Sequence, residues 1–295
     1  MDRFEFIQEE YLLTIFINTR NSVELLKKNL HSLLSLSDTS VNNYEIIIKV
    51  DFDDEESLEF IKTFTNSAVN VNFIVNSRRE GYLSLHESLN KAAGMAQGKY
   101  MLLLPTDCEI LTQNWNVELE NILNEFKIYF LNYNKENKDG SITNVKDIPI
   151  PQWVQDRKYV KECGVGYFDF LFPIFPTKLK ELWGFISPHA LSDNWLGDMA
   201  KRINSYPYNE NFYEFIDSIT IYLQYSDSKP INNNNSKKLQ ETYASYINDE
   251  VFFTCANRVV EYKKYERWRR AHELNIVNDF RNSNKTVQEY FNLPK

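Results

Sequence analysis

Leu12-Leu13-Thr14-Ile15-Phe16-Ile17-Asn18-Thr19-Arg20-Asn21 decides the fold, because a short apolar run passes directly into a polar turn. Such a run reads as a strand buried on both faces. Residues 23–36 follow with Leu25, Leu26, Leu30, Leu33 and Leu34 at helical spacing. Working outward, strands are expected at 45–50, 71–75, 100–104 and 127–132, and helices at 55–64, 82–96 and 116–124. Alternating strands and helices build a mostly parallel sheet with helices on both faces, an α/β class.

The alternation decays after about residue 148, and the polar stretch 132–144 reads as loop. Strands at 168–175 and 218–225 around a helix at 192–203 form an expected second half, 149–226. A linker at 227–238 holds Asn232 to Asn235, and a helical extension runs over 239–295. The chain thus divides into 1–148, 149–226, the linker and the extension.

The chain has 295 residues, 43% of them hydrophobic, which is enough for one extended core. A net charge of -8 disfavours a nucleic-acid partner. Cys108, Cys163 and Cys255 are odd in number and widely spaced, so neither a disulfide framework nor a zinc cluster is indicated. The acidic start, Met1-Asp2-Arg3-Phe4-Glu5, is not a signal peptide, and no apolar run could span a bilayer. A soluble, cytoplasmic protein is expected. The basic cluster at 263–270 is either a solvated helix face, carrying Glu261 and Glu266 as well, or a peripheral membrane contact.

Ligands of open parallel sheets bind beyond the carboxyl ends of the strands. Those positions here are Asn18-Thr19-Arg20-Asn21, Asp51-Phe52-Asp53-Asp54, Asn76-Ser77-Arg78-Arg79 and Pro105-Thr106-Asp107-Cys108-Glu109. Carboxylates suit a hard divalent cation, arginines suit phosphate, and amides suit base and ribose. Each cluster alone also reads as helix capping or charge at a helix start; their convergence favours a metal-bound diphosphate. Glycine-rich dinucleotide and triphosphate loops are absent, as are the common hydrolase and zinc signatures.

With these residues in view, the stretch from Leu12 to Trp115 resembles a family 2 glycosyltransferase of the GT-A fold. The resemblance implies a nucleotide-binding set of Asn18, Thr19, Arg20, Asn21, Asp51, Asp53, Arg79, Gly81 and Tyr82, with Asp51 at the base-contacting position. Either Arg78 or Arg79 would reach the diphosphate. His86 and Asn90, one helical turn apart, and Thr106 and Asp107 fall on the donor sugar and diphosphate side. A satisfied core histidine is the other reading of His86. In the aspartate motif Thr106 replaces the first aspartate, leaving Asp107 and Glu109 as metal ligands for Mn²⁺ or Mg²⁺.

Further on, Trp183-Gly184-Phe185-Ile186-Ser187-Pro188-His189-Ala190-Leu191-Ser192-Asp193-Asn194-Trp195 is similar to the family's acceptor-side segment. The resemblance implies Asp193 as general base, with Trp183, His189 and Trp195 toward the acceptor. Asp193 also reads as a helix N-cap, and the tryptophans also read as core. The implied reaction moves a sugar, with inversion, from a nucleotide-diphospho-sugar, a UDP-sugar foremost, to a glycan or other hydroxyl acceptor. A non-catalytic sugar-nucleotide or glycan-binding module is the rival, and a nucleotidyltransferase the third reading.

Overall fold

The structure, a computed structural model, describes residues 11–64, 68–77, 84–144, 147, 171–189, 191–205, 207–224 and 249–283. Its elements are β1 (Tyr11–Thr19), α1 (Val23–Ser35), β2 (Tyr44–Asp51), α2 (Glu55–Thr63), β3 (Asn70–Asn76), α3 (Leu85–Met95) and β4 (Gly98–Leu103). Next come β5 (Cys108–Ile110), α4 (Trp115–Ile122), β6 (Ile128–Glu136) and β7 (Ile142–Asn144). The remainder is β8 (Pro173–Pro176), α5 (Leu179–Trp183), α6 (Ser192–Asn204), β9 (Tyr213–Leu223) and the long α7 (Asp249–Ser283).

Among the described residues nine strands form one sheet in the order β3-β2-β1-β4-β8-β6-β9-β5, with β7 pairing the far end of β6. β1 to β4 are mutually parallel, and β1 and β2 are buried along nearly their whole length, as inner strands of a parallel sheet are. β8 runs against both β4 and β6, and β9 runs parallel to β6. The carboxyl ends of β6 and β9 therefore open onto the same rim as those of β1 to β4. This directional rule is what positions the site.

One face of the sheet packs Leu13, Ile15 and Ile17 against Leu26 and Leu30 of α1 and Trp115 of α4. The other packs Phe16, Ile47 and Met101 against Leu89 of α3, Trp183 of α5, Trp195 of α6 and Phe252 of α7. No described helix is long and apolar enough to cross a membrane. Cys108 and Cys255 are buried free thiols; Cys163 and the linker 227–238 lie outside the described residues.

Two readings of the sequence change. The stretch 132–144 is not a plain loop, because β6 continues to Glu136 and pairs with β7. Its polar residues Asn132, Asn134 and Glu136 are half-buried and alternate with buried Leu131 and Tyr133 along the first part of the stretch. Strands of the expected second half join the same sheet: β8 sits between β4 and β6, and β9 between β6 and β5. The strand expected at 168–175 appears as Pro173–Pro176; Leu171 and Phe172 precede it outside the strand, and 168–170 lie outside the described residues.

Gly98 makes the closest backbone approach. Its N–H donates to Thr14 Oγ1 at 3.0 Å, and a Cβ there would lie 2.4 Å from the Thr14 nitrogen. That contact is with backbone, so the strand pair itself must move. Gly98→Ala should cost about 2–3 kcal/mol, seen as a lower urea midpoint with an unchanged slope.

Candidate functional site

β1 and β2 end side by side, and their exit turns are cross-linked by charge. Arg20 Nη1 lies 2.5 Å from Asp51 Oδ2 and 2.9 Å from Asp53 Oδ1, while Nη2 reaches Asp53 Oδ2 at 3.1 Å. The hydrogen bonds from Asp53 and then Asp51 raise the Arg20 pKa above its already high ordinary value. Asp51 is 2% exposed and pairs through its other oxygen with Lys49, which shares its strand face. Both carboxylate oxygens of the expected base-contacting residue thus already hold a cation. Phe52, between the two aspartates, is 60% exposed. Residue-type reasoning passed over it, although an apolar residue inside an acidic turn was a signal.

Asn21 adopts a positive φ of 47°, a conformation that asparagine tolerates. Its N–H donates to Asp54 Oδ2 at 2.7 Å, and Asp54 Oδ1 caps α2 through the Ser57 N–H at 3.2 Å. Asn18 Oδ1 and Thr19 Oγ1 are buried and make no hydrogen bond within the described residues. Buried polar atoms are rarely left so, which suits a ligand at this rim.

The turn after β4 is held from below by α1. Asn29, fully buried, donates to the carbonyls of Pro105 at 3.1 Å and Cys108 at 2.8 Å. Asp107 is half-buried on that turn, and its carbonyl accepts from the Gln224 N–H at 2.9 Å. The Cys108 thiol, donating to Asp107 at 3.6 Å, is pushed well above its usual pKa by burial and then by that carboxylate, so it is no nucleophile. Glu109 enters β5 opposite Tyr222 of β9. Among the described residues no three His, Cys, Asp or Glu side chains converge as a ligand set. One carboxylate is nevertheless sufficient protein support for a divalent ion that takes its other ligands from diphosphate and water.

α3 connects this rim to the segment before α6. Asn90 Nδ2 donates to the Ser187 carbonyl at 2.8 Å, and Asn90 Oδ1 accepts from the Ile186 N–H at 2.6 Å. Its amide is thereby committed to positioning that segment. His189 is 2% exposed, and its Nδ1 accepts from the Leu191 N–H at 3.2 Å, which assigns the proton of the neutral ring to Nε2. Burial, and then the nearby His86, lower its pKa. Ser187 and Ser192 hydroxyls both donate to the His189 carbonyl, at 2.7 and 3.2 Å. Asp193 follows in the first turn of α6, half-buried, with Oδ1 accepting from Asn194 Nδ2 at 3.2 Å. It is not the cap residue, a position taken by Leu191.

The expected sugar platforms are corrected. Trp183 and Trp195 are 3% and 0% exposed, so neither offers a face to an acceptor. Trp183 Nε1 donates to the Cys255 carbonyl at 3.1 Å, and Trp195 packs on Phe252 at 4.7 Å, fastening α7 to the body. In the basic cluster, Lys263 and Arg267 pair with Glu210, Lys264 with Glu261, and Arg269 with Glu266 and Glu273. Arg78, Arg79, Gly81 and Tyr82 lie outside the described residues.

The family model described as Glycosyl transferase family 2 matches residues 14–183, more than half of the chain. The chain belongs to glycosyl transferase family 2. No curated protein matches this family 2 chain in sequence. Its fold is GT-A, like that of S. aureus TarS residues 1–349. The form in complex with UDP-GlcNAc has a TM-score of 0.54 at 14% identity, covering 79% of this chain and 65% of that one. The form with UDP has 0.51 at 13%, covering 72% and 60%, so the chain spans less than two thirds of these relatives. A mannosyltransferase from Pyrobaculum calidifontis, in complex with GDP-Man and Mn²⁺, has 0.50 at 11%, covering 96% and 86%. At such identities the likeness establishes the fold.

The lowered His189 pKa has a consequence for stability. As pH falls below about 6.5, an unfolded histidine takes up a proton that the buried ring resists, so stability falls with acidification. His189→Asn keeps an acceptor for the Leu191 N–H and removes the titration. Urea unfolding across this range should show a weaker acid-side decline in that variant than in the unchanged protein.

Proposed function

We propose that this family 2 chain transfers a sugar from a nucleotide-diphospho-sugar, with uridine as the base, to an acceptor hydroxyl with inversion at the anomeric carbon. The single observation supporting this is the shared rim. The turns bearing Arg20, Asp51, Asp53 and Asp107 leave parallel strands at one edge, and the Asn90 amide ties the segment preceding Asp193 to α3, the helix that follows β3. Asn18, Thr19, Asn21 and the Phe52 ring are available to base and ribose. His86 and Thr106 fall on the donor sugar side, and Asp51 serves to orient Arg20.

In the proposed step Asp193 takes the acceptor hydroxyl proton as that oxygen bonds to the anomeric carbon. The bond from that carbon to the diphosphate oxygen breaks on the opposite side, and its electron pair leaves with the nucleoside diphosphate. Positioned general-base help of this kind contributes about 10²–10⁴-fold. Asp107 would hold Mn²⁺ or Mg²⁺ on the diphosphate, which when bound neutralises charge on the leaving group.

Thr106, where a carboxylate is usual, favours a second reading as a non-catalytic nucleotide-sugar binder. Release of free sugar from UDP-glucose, UDP-galactose or UDP-GlcNAc without acceptor separates the two. Asp107→Ala should lower donor turnover at least about 10²-fold while the fold is kept. Asp193→Asn should retain UDP-induced thermal stabilisation and lose transfer by about 10²–10⁴-fold. Full transfer by Asp193→Asn would remove the base assignment, and metal-responsive turnover by Asp107→Ala would remove the other.

A further inference from the structure

With Trp183 and Trp195 in the core, the acceptor needs another surface. Strand register supplies one. Residues paired across neighbouring strands share a sheet face. Glu109 of β5 pairs with Tyr222 of β9, Tyr222 with Asn134 of β6, and Asn134 with Asn144 of β7, giving one row across four strands. The neighbouring row is Thr220 and Asn132. Cys108, Ile110, Tyr133 and Ile221 of the same strands all point into the opposite core, so the polar residues occupy the other face throughout.

This is the face that begins with Ile128 and Phe130, packed among Phe212, Tyr213 and Phe215. Between Leu131 and Asn132 the β6–β9 register shifts, and beyond that irregularity the face turns from apolar to polar. The polar part lies at the carboxyl ends of β6 and β9, on the rim already described, and Gln224 just past β9 binds the Asp107 carbonyl at 2.9 Å. α6 approaches from the same side. Its C-terminal residues are tied to the start of β9, through Asn204 Oδ1 to the Phe212 N–H at 2.7 Å and Ile203 O to the Glu210 N–H at 3.0 Å. Its other end, with Asp193, lies away from that start.

The row is internally organised. Asn144 Nδ2 donates to Asn134 Oδ1 at 3.0 Å and Asn132 Oδ1 at 3.4 Å, and the Tyr222 phenol bonds Glu136. Ile142, opposite Glu136, is 62% exposed and offers contact to the C–H face of a ring. Amides, a phenol and carboxylates present donors and acceptors at closely spaced points, as a polyhydroxylated ring requires. Glu109 and Glu136 make the strip acidic, so phosphorylated or carboxylated acceptors meet repulsion.

The geometry points to this strip as the acceptor site, and to an uncharged oligosaccharide as its ligand. The inference rests on the transferase reading, but its test need not.

Asn134→Ala, Tyr222→Phe and Glu136→Gln are compared with the unchanged protein on an array of neutral, sialylated and phosphorylated oligosaccharides. Release of sugar from UDP-glucose and UDP-GlcNAc with Mn²⁺, and thermal unfolding, are measured in parallel. The unchanged protein should bind neutral glycans in preference to anionic ones. Asn134→Ala and Tyr222→Phe should weaken that binding about tenfold while donor hydrolysis holds, since each removes one or two ligand hydrogen bonds. Glu136→Gln should admit anionic glycans more readily. Should Asn134→Ala unfold, Tyr222→Phe, which deletes only a hydroxyl, carries the comparison. Neutral glycans bound equally by the variants, anionic glycans preferred, or no glycan bound by a protein that hydrolyses donor would each overturn the proposal. Glycan binding that depends on Asn134 and Tyr222 in a protein without donor hydrolysis would instead overturn the transferase reading and leave the strip standing.

Discussion

The buried carboxylate of Glu45 fixes the frame on which everything else is aligned. It is fully buried at the amino end of β2, where Oε1 accepts from Thr14 Oγ1 and the Gln97 N–H, both at 2.7 Å. Thr14 Oγ1 in turn accepts from Gly98. One carboxylate therefore couples β1, β2 and the entry to β4, in a setting where a missing partner would leave a costly buried charge. A slip of one residue would invert every side chain of a strand. The aligned amino ends oblige the carboxyl ends of these strands to finish at one edge.

At that edge, helices rather than strands hold the turns. Asn29 reaches up from α1 to two carbonyls flanking Asp107, and Asn90 reaches across from α3 to the segment preceding Asp193. Two asparagines on rigid elements thus hold the turn that bears Asp107 and the segment that leads to Asp193. Ion pairing does the same nearby, where Arg20 bridges the turns after β1 and β2. Support of this kind is what a preorganised site requires.

The strand–helix alternation was legible because apolar spacing distinguishes a buried parallel strand from an amphipathic helix. The acidic and amide-rich turns were legible for the same reason, since they lie where the spacing breaks. Pairing was harder to read. Arg20 lies far from Asp51 in sequence, although Lys49, two residues before Asp51, shares its face and was a visible clue. Trp183 and Trp195 look alike as core or as sugar platform until the partner surface, Phe252 on a distant helix, is known. The strip on β6 was misread because its asparagines read as turn formers, although Leu131 and Tyr133 alternate with Asn132 and Asn134 as in a half-buried strand.

The continuous sheet also limits how the molecule can move. β8 and β9, from the later part of the chain, are hydrogen-bonded among strands of the earlier part, so among the described residues one sheet runs through both parts. Hinged lobes close around ligands by bending a few connecting residues. Here such bending would tear strand ladders.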